Sequence, residues 1–172
     1  MKIAVYPGSF DPITLGHLDI IKRASAMFDK LVVVVSVNTA KSPLFSADER
    51  VKMIKEAVKD LDNVEIDCYE GLIIDYCKEK NIRILLRGLR AITDFEYELQ
   101  IAQTNRAFSH SQVDTVFLTT SLEYAYLSSS TVREFASFHG DISRCVTDYV
   151  AQKVYEKYGY DKQLIGGKDY EQ

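Results

Sequence analysis

The apolar positions of this chain fall into short blocks of alternating kind. Residues 3–6 form an apolar run closed by Pro7 and Gly8, the mark of a buried first strand ending in a turn. Beyond Gly16, Leu18, Ile21, Ala24 and Phe28 recur at helical spacing, which places His17 in the first turn of an amphipathic helix. Residues 31–37 are a continuous β-branched run without alternation, as in a strand covered on both faces, and this implies a parallel sheet. A polar loop, 38–45, follows. Ser46 to Glu49 reads as a capping box for a helix carrying Val51, Ile54 and Val58.

The second half repeats the scheme. Residues 64–68 alternate, predicting a third and more exposed strand, which Gly71 breaks before a short helix over 72–80. A fourth strand over 82–86 runs into Arg87-Gly88-Leu89-Arg90, and a capping box at 93–96 opens a helix through about Ser109. A fifth strand is expected over 113–119, a capping box at 131–134, and a closing amphipathic helix over 141–158. Strands alternating with helices predict an α/β chain, a Rossmann-like, doubly wound five-stranded parallel sheet with a C-terminal helical segment. Residues 1–158 form the single domain of this reading, and 159–172 a frayed, mobile tail. The chain contains neither an internal repeat nor an interdomain linker.

Composition narrows the partners. A chain of 172 residues, 47% hydrophobic and 27% charged, is an ordinary globular composition able to bury a real core. A net charge of -4 argues against nucleic-acid or membrane-surface binding while permitting a local cationic cleft. Cys68, Cys77 and Cys145 are odd in number and scattered, suggesting buried reduced thiols and not a disulfide frame or a metal site. With no charged-then-apolar leader and no apolar run of membrane length, the expected location is the cytoplasm.

The candidate chemistry gathers where strands end. The loop from Pro7 to His17 brings Ser9, Asp11, Thr14 and His17 together between Gly8 and Gly16, at a helix start whose free N–H groups suit phosphate. Asp and Thr at such a junction can merely cap a helix, but capping does not require glycine immediately before histidine. Lys41 lies in the loop after the second strand, where open α/β sheets bind ligands. Arg87 and Arg90 flank Gly88, and guanidinium forks match phosphate oxygens bidentately. Leu72 and Ile73 either join the core or wall an apolar part of a substrate. Glu98 is structural unless something points it inward. Ser128, Ser129 and Ser130 supply hydroxyls ahead of another helix start.

Taken in order, residues 9–17, 87–98 and 128–134 resemble the bacterial phosphopantetheine adenylyltransferases of the nucleotidylyltransferase superfamily. Thr14 to His17 is similar to their T-x-G-H motif, and the later serines to their I-S-T-S-like motif. The resemblance covers about residues 1–158. It implies transfer of an adenylyl group from ATP to 4′-phosphopantetheine, giving dephospho-coenzyme A and pyrophosphate, with Mg²⁺ and in a homohexamer. It further implies that His17 binds the ATP phosphates and stabilises transition-state charge. Ser9 and Phe10 would contact ATP, and Ser9 the acceptor as well. Lys41 and Arg87 would hold the acceptor phosphate, with Ile73 beside its arm. Around ATP the resemblance places Gly88, Leu89, Arg90 and Glu98, followed by Tyr124, Ala125, Tyr126, Leu127, Ser128, Ser129 and Ser130.

The chain departs from the family pattern in carrying Arg133 where relatives often have lysine, and Leu127 where isoleucine is usual. Since the acceptor is itself an anion, no general base is required. The task is to bring two polyanions into line, for which Lys41, Arg87 and Arg90 are the expected cations and His17 a further candidate. Two other readings compete: a transferase acting on another phosphorylated acceptor, such as nicotinamide mononucleotide or glycerol phosphate, and a nucleotide sensor without turnover.

Overall fold

The computed structural model describes residues 1–38, 42–90 and 92–160, with the side chains of 92–94 excepted. Lys41 and residues 161–172 lie outside the described residues. Five strands, β1 (Ile3–Gly8), β2 (Lys30–Val37), β3 (Val64–Glu70), β4 (Ile84–Leu89) and β5 (Asp114–Thr119), form one all-parallel sheet in the order β3-β2-β1-β4-β5. Among the described residues six α-helices follow the strands: α1 (Leu15–Met27), α2 (Ala47–Ala57), α3 (Ile73–Glu79), α4 (Ile92–Phe108), α5 (Ser129–Ser137) and α6 (Asp148–Lys157).

Alternation along the strands sorts the core into two layers. Ala4, Tyr6, Leu31, Val33, Val35 and Leu86 face α1, α2, α5 and α6, whereas Val5, Val32, Val34 and Leu85 face α3. Phe117, opposite in alternation to Leu118, packs edge-on against Phe95 of α4 at 6.1 Å, so α4 lies on the α3 side. That both faces are covered explains why β2 reads as unbroken valine.

The caps differ in part from expectation. Ser46 and Glu49 form the reciprocal box that starts α2. The helix expected to open at the 93–96 box begins earlier, at Ile92. α5 also begins earlier than Thr131: Ser128 is its N-cap and accepts from the Thr131 N–H. The closing helix is shorter than 141–158, because Asp141 caps its own turn by accepting from Ser143 N–H, and Ile142 and Val146 are buried from turns rather than from helix. Tyr160 belongs to the folded body, its hydroxyl donating to the Ala136 carbonyl and its ring lying against Tyr155 and His139. Cys77 is buried and Cys145 partly so, but Cys68 is exposed, because β3 is an edge strand. No helix among the described residues is long and apolar enough to cross a membrane.

Candidate active site

The strand order reverses between β1 and β4, and there the sheet opens. β1 stays paired with β2 as far as Gly8 with Val35, yet meets β4 only at Ala4 with Ile84 and Val5 with Leu85. Pro7 has no N–H to extend that second ladder. Its carbonyl instead accepts from Arg87 Nη1 at 3.1 Å. Beyond this gap lies a cavity of about 310 Å³ whose walls include Ser9, Phe10, His17, Arg87, Gly88 and Arg90. Ligands in open α/β sheets bind in such a crevice. Both β1 and β4 extend further than their apolar runs, since Pro7, Gly8, Arg87 and Gly88 are strand residues at the rim.

His17 is fixed by the start of α1. Thr14 is the N-cap and its hydroxyl accepts from the His17 N–H at 3.3 Å, while His17 Nδ1 accepts from the Thr14 N–H at 3.1 Å. A backbone N–H can only donate, so Nδ1 is the unprotonated nitrogen and Nε2–H is the ring donor left for the cavity. Burial, with Arg90 and Arg87 nearby, lowers the His17 pKa to about 4. His17 is therefore a neutral donor and not a further cation. Its ¹⁵N spectrum is expected to show the Nε2–H tautomer at pH 7 and no protonation step between pH 8 and 5; a step near pH 6.5 would contradict this environment. A Cβ on Gly16 would stand 3.4 Å from Tyr124 Cβ and 3.6 Å from Thr120 Cγ2, ordinary contact distances, so the loop after β5 packs directly onto α1.

Glu98 is indeed turned inward. It takes Arg87 bidentately, Nε to Oε2 at 2.7 Å and Nη2 to Oε1 at 2.6 Å. Burial alone would lower the Arg87 pKa, but the hydrogen-bonded Glu98 carboxylate holds it above the ordinary arginine value. Arg90 Nη1 donates to the Leu127 carbonyl at 3.1 Å, tying the end of β4 to the serine loop. Of the serines, Ser128 caps α5 and Ser129 Oγ donates to the Pro12 carbonyl at 2.8 Å, so part of the hydroxyl set holds the loop in place. All three serines line the cavity at the start of α5.

Asp11 knits the rim together. Its buried carboxylate accepts from the Leu44 N–H through Oδ2 and the Phe45 N–H through Oδ1, both at 2.9 Å. Arg133 donates to the Asp11 carbonyl. The loop carrying Lys41 is thus clamped, at its far end, to the 9–14 turn. Arg50, also buried, donates to the Ser9 carbonyl at 2.8 Å.

A second cavity of about 590 Å³ adjoins the first, sharing Arg90 and Thr120, and takes in Leu89, Phe95, Leu122 and Ala125. Of the expected site residues, Ser9, Phe10, His17, Arg87, Gly88, Arg90, Glu98 and Leu127 converge with the serines on the first cavity. Leu89 and Ala125 line the second. Tyr124 abuts Gly16, Tyr126 is exposed, and Ile73 packs against the Val5 and Val32 layer, so these three line neither cavity. Sequence reading passed over Tyr6 and Thr120, which line the cavity. It also missed the pair Asp19 and Arg23, which fixes the loop after β5 through Ser121 N–H and the Thr119 carbonyl. A helical i, i+4 charge pair was the available signal for those two.

The chain is similar to known proteins along most of its length. The family described as cytidylyltransferase-like matches residues 5–135. A phosphopantetheine adenylyltransferase of Lachnoclostridium phytofermentans is 55% identical over 158 residues, 92% of this chain and 96% of that protein. One from Dictyoglomus thermophilum is 52% identical over 156 residues, covering 91% and 94%. Among solved structures, a Plasmodium falciparum nicotinic acid mononucleotide adenylyltransferase complexed with NaAD superimposes with a TM-score of 0.65 at 17% identity, covering 91% of this chain and 95% of that one. The last similarity concerns the fold alone.

Proposed function

The chain belongs to the cytidylyltransferase-like family and, within it, to the phosphopantetheine adenylyltransferases, and from that premise we propose how its pocket carries the reaction. The reaction is transfer of the adenylyl group of ATP to 4′-phosphopantetheine, with dephospho-coenzyme A and pyrophosphate as products. A phosphate oxygen of the acceptor attacks the α-phosphorus, a P–O bond forms, and the bond to the β-phosphate oxygen breaks as pyrophosphate leaves. The nucleophile is already an anion, so the protein's tasks are alignment and charge stabilisation.

The observation that carries the assignment is the placement of His17, its Nδ1 held by the Thr14 N–H, in a cavity walled by Arg87, Arg90 and the start of α5. Nε2–H stabilises charge developing on the α-phosphate oxygens, a preorganised donor of the oxyanion-hole kind. The N–H groups and serines at the start of α5, with Gly88 and Arg90, take the triphosphate. The adjoining cavity with Leu89 and Ala125 receives the nucleoside. Arg87 takes the acceptor phosphate, with Lys41 as a second cation; Ile73, which lines neither cavity, is assigned beside the pantetheine arm on the family resemblance alone.

Among the described residues there is no cluster of three or more His, Cys, Asp or Glu side chains able to hold a metal. Such a donor set fits Mg²⁺ arriving with ATP, since Mg²⁺ keeps its waters and binds substrate phosphates in preference to all-protein cages. Bound there, it would supply charge neutralisation along the triphosphate. We assign the enzyme to the cytoplasm and to a homohexamer. Phe95, Tyr97, Leu99 and Phe108 are exposed along α4, and Val116 on edge strand β5, an apolar surface of the kind that subunit contacts cover.

Pyrophosphate release, measured with ATP and a panel of phosphorylated acceptors, tests the whole. Release is expected with phosphopantetheine; release with nicotinamide mononucleotide or glycerol phosphate instead, or none with any acceptor, would overturn it. Arg87→Ala is expected to raise the KM for phosphopantetheine by one to two orders of magnitude, roughly the loss of a charged bidentate contact, with the KM for ATP far less affected. An unchanged acceptor KM would remove Arg87 from the acceptor site.

A further inference from the structure

Arg87 is engaged by the chain itself. Three of its N–H groups are in use: Nε and Nη2 on Glu98, at 2.7 and 2.6 Å, and Nη1 on the Pro7 carbonyl at 3.1 Å. Glu98 is more enclosed than its partner, its side chain 12% exposed against 29% for Arg87. Both line the same cavity. An anion arriving at this fork meets a cation already neutralised by a carboxylate, and a negative group beside the place it must occupy. Whatever binds must outcompete a bidentate carboxylate in a site largely withdrawn from water, where such contacts are strong.

We propose that Glu98 is the specificity-determining counter-ion of the acceptor site: it occupies Arg87 until a dianionic phosphate monoester displaces it, and so excludes monoanions and unphosphorylated acceptors. The inference deepens, and rests on, the assignment of Arg87 to the acceptor phosphate. It gives Glu98 a role on the acceptor side of the pocket, where the family resemblance places it around ATP.

Charge is the discriminating quantity. A carboxylate and a singly charged phosphate compete for the fork on nearly equal terms, whereas the second phosphate charge tips the exchange. A phosphate monoester gains that charge with a pKa of about 6. The groups facing Arg87 are Tyr6 from β1, His17 from α1, Arg90 beyond β4, and Tyr97 and Glu98 from α4. Tyr6, buried, has its pKa pushed far up, and His17, at about 4, stays neutral. A binding step between pH 5 and 8 therefore reports the phosphate.

The test is calorimetric titration of the full chain with 4′-phosphopantetheine and with pantetheine between pH 5 and 8, for wild type, Glu98→Gln and Arg87→Ala. Wild-type affinity for phosphopantetheine is expected to fall about tenfold from pH 8 to 5, as the dianion fraction falls. In Glu98→Gln the amide offers one acceptor oxygen and a donor that repels the fork, so the fall should shrink below about threefold, with tighter binding than wild type at pH 5. A flat wild-type series overturns the proposal without any variant. So does Glu98→Gln with an unaltered pH slope, or with weaker phosphopantetheine binding at every pH, which would make Glu98 only a brace for Arg87. A different failure is separately visible: if Arg87→Ala still prefers phosphopantetheine over pantetheine as wild type does, the acceptor assignment of Arg87 itself falls.

Discussion

His17→Ala is expected to lower kcat by two to three orders of magnitude, roughly the effect of removing one preorganised oxyanion donor, while ATP still binds. The size follows from the state of the ring. With Nδ1 accepting from the Thr14 N–H and the pKa lowered to about 4, the imidazole offers one neutral N–H in a fixed direction. A neutral donor contributes little to ground-state binding of a triphosphate already surrounded by arginines. It contributes most where charge builds during transfer, so the loss falls on kcat and not on the KM for ATP. The variant also loses half of the reciprocal cap on α1, worth about 1 kcal/mol, too little to unfold the chain. Steady-state kinetics beside a thermal melt separates the two effects. If kcat stays within a fewfold of wild type while the melt drops, His17 is a helix cap and nothing more.

Much of this site could be read from the chain, because the features that build it are local. Valine after valine in β2 has few explanations besides a strand covered on both faces. Glycine before His17 and between Arg87 and Leu89 marks stretches that line the cavity. What escaped reading is set by contacts distant in sequence. Pro7 and Gly8 read as a turn, but β1 continues through them because β2 pairs along its whole length, and the missing Pro7 N–H matters only on the β4 side, where the sheet parts. Tyr6 looked like core and is core, yet it also walls the cavity. Glu98 sits on a helix whose charges could equally meet water, and only the turn of α4 against β4 sends it to Arg87. The closing helix was overextended because Ile142 and Val146, buried from successive turns, imitate a helical stripe.

Asp11→Asn is expected to cost about 2 kcal/mol of stability, since of the two backbone donors that depend on this carboxylate, the buried Phe45 N–H and the half-buried Leu44 N–H, one loses its acceptor, at roughly 1–3 kcal/mol for such a donor. The substitution is nearly isosteric, which isolates the chemistry. Both oxygens accept, Oδ1 from the Phe45 N–H and Oδ2 from the Leu44 N–H, so either orientation of an asparagine amide sets an NH₂ group against a backbone N–H. For a chain of this length a loss of that size lowers Tm by about 4–8 °C. The same contacts end the loop that begins after β2 and carries Lys41, and Arg133 ties the Asp11 backbone to α5. Loosening them should therefore raise the KM for phosphopantetheine at temperatures well below the new Tm. A melt paired with acceptor titrations at 15 °C reads both. Were stability to fall with the KM unmoved, Asp11 would brace the fold alone; a KM that rose in step would make this carboxylate the joint through which the folded core sets the distance between two bound anions.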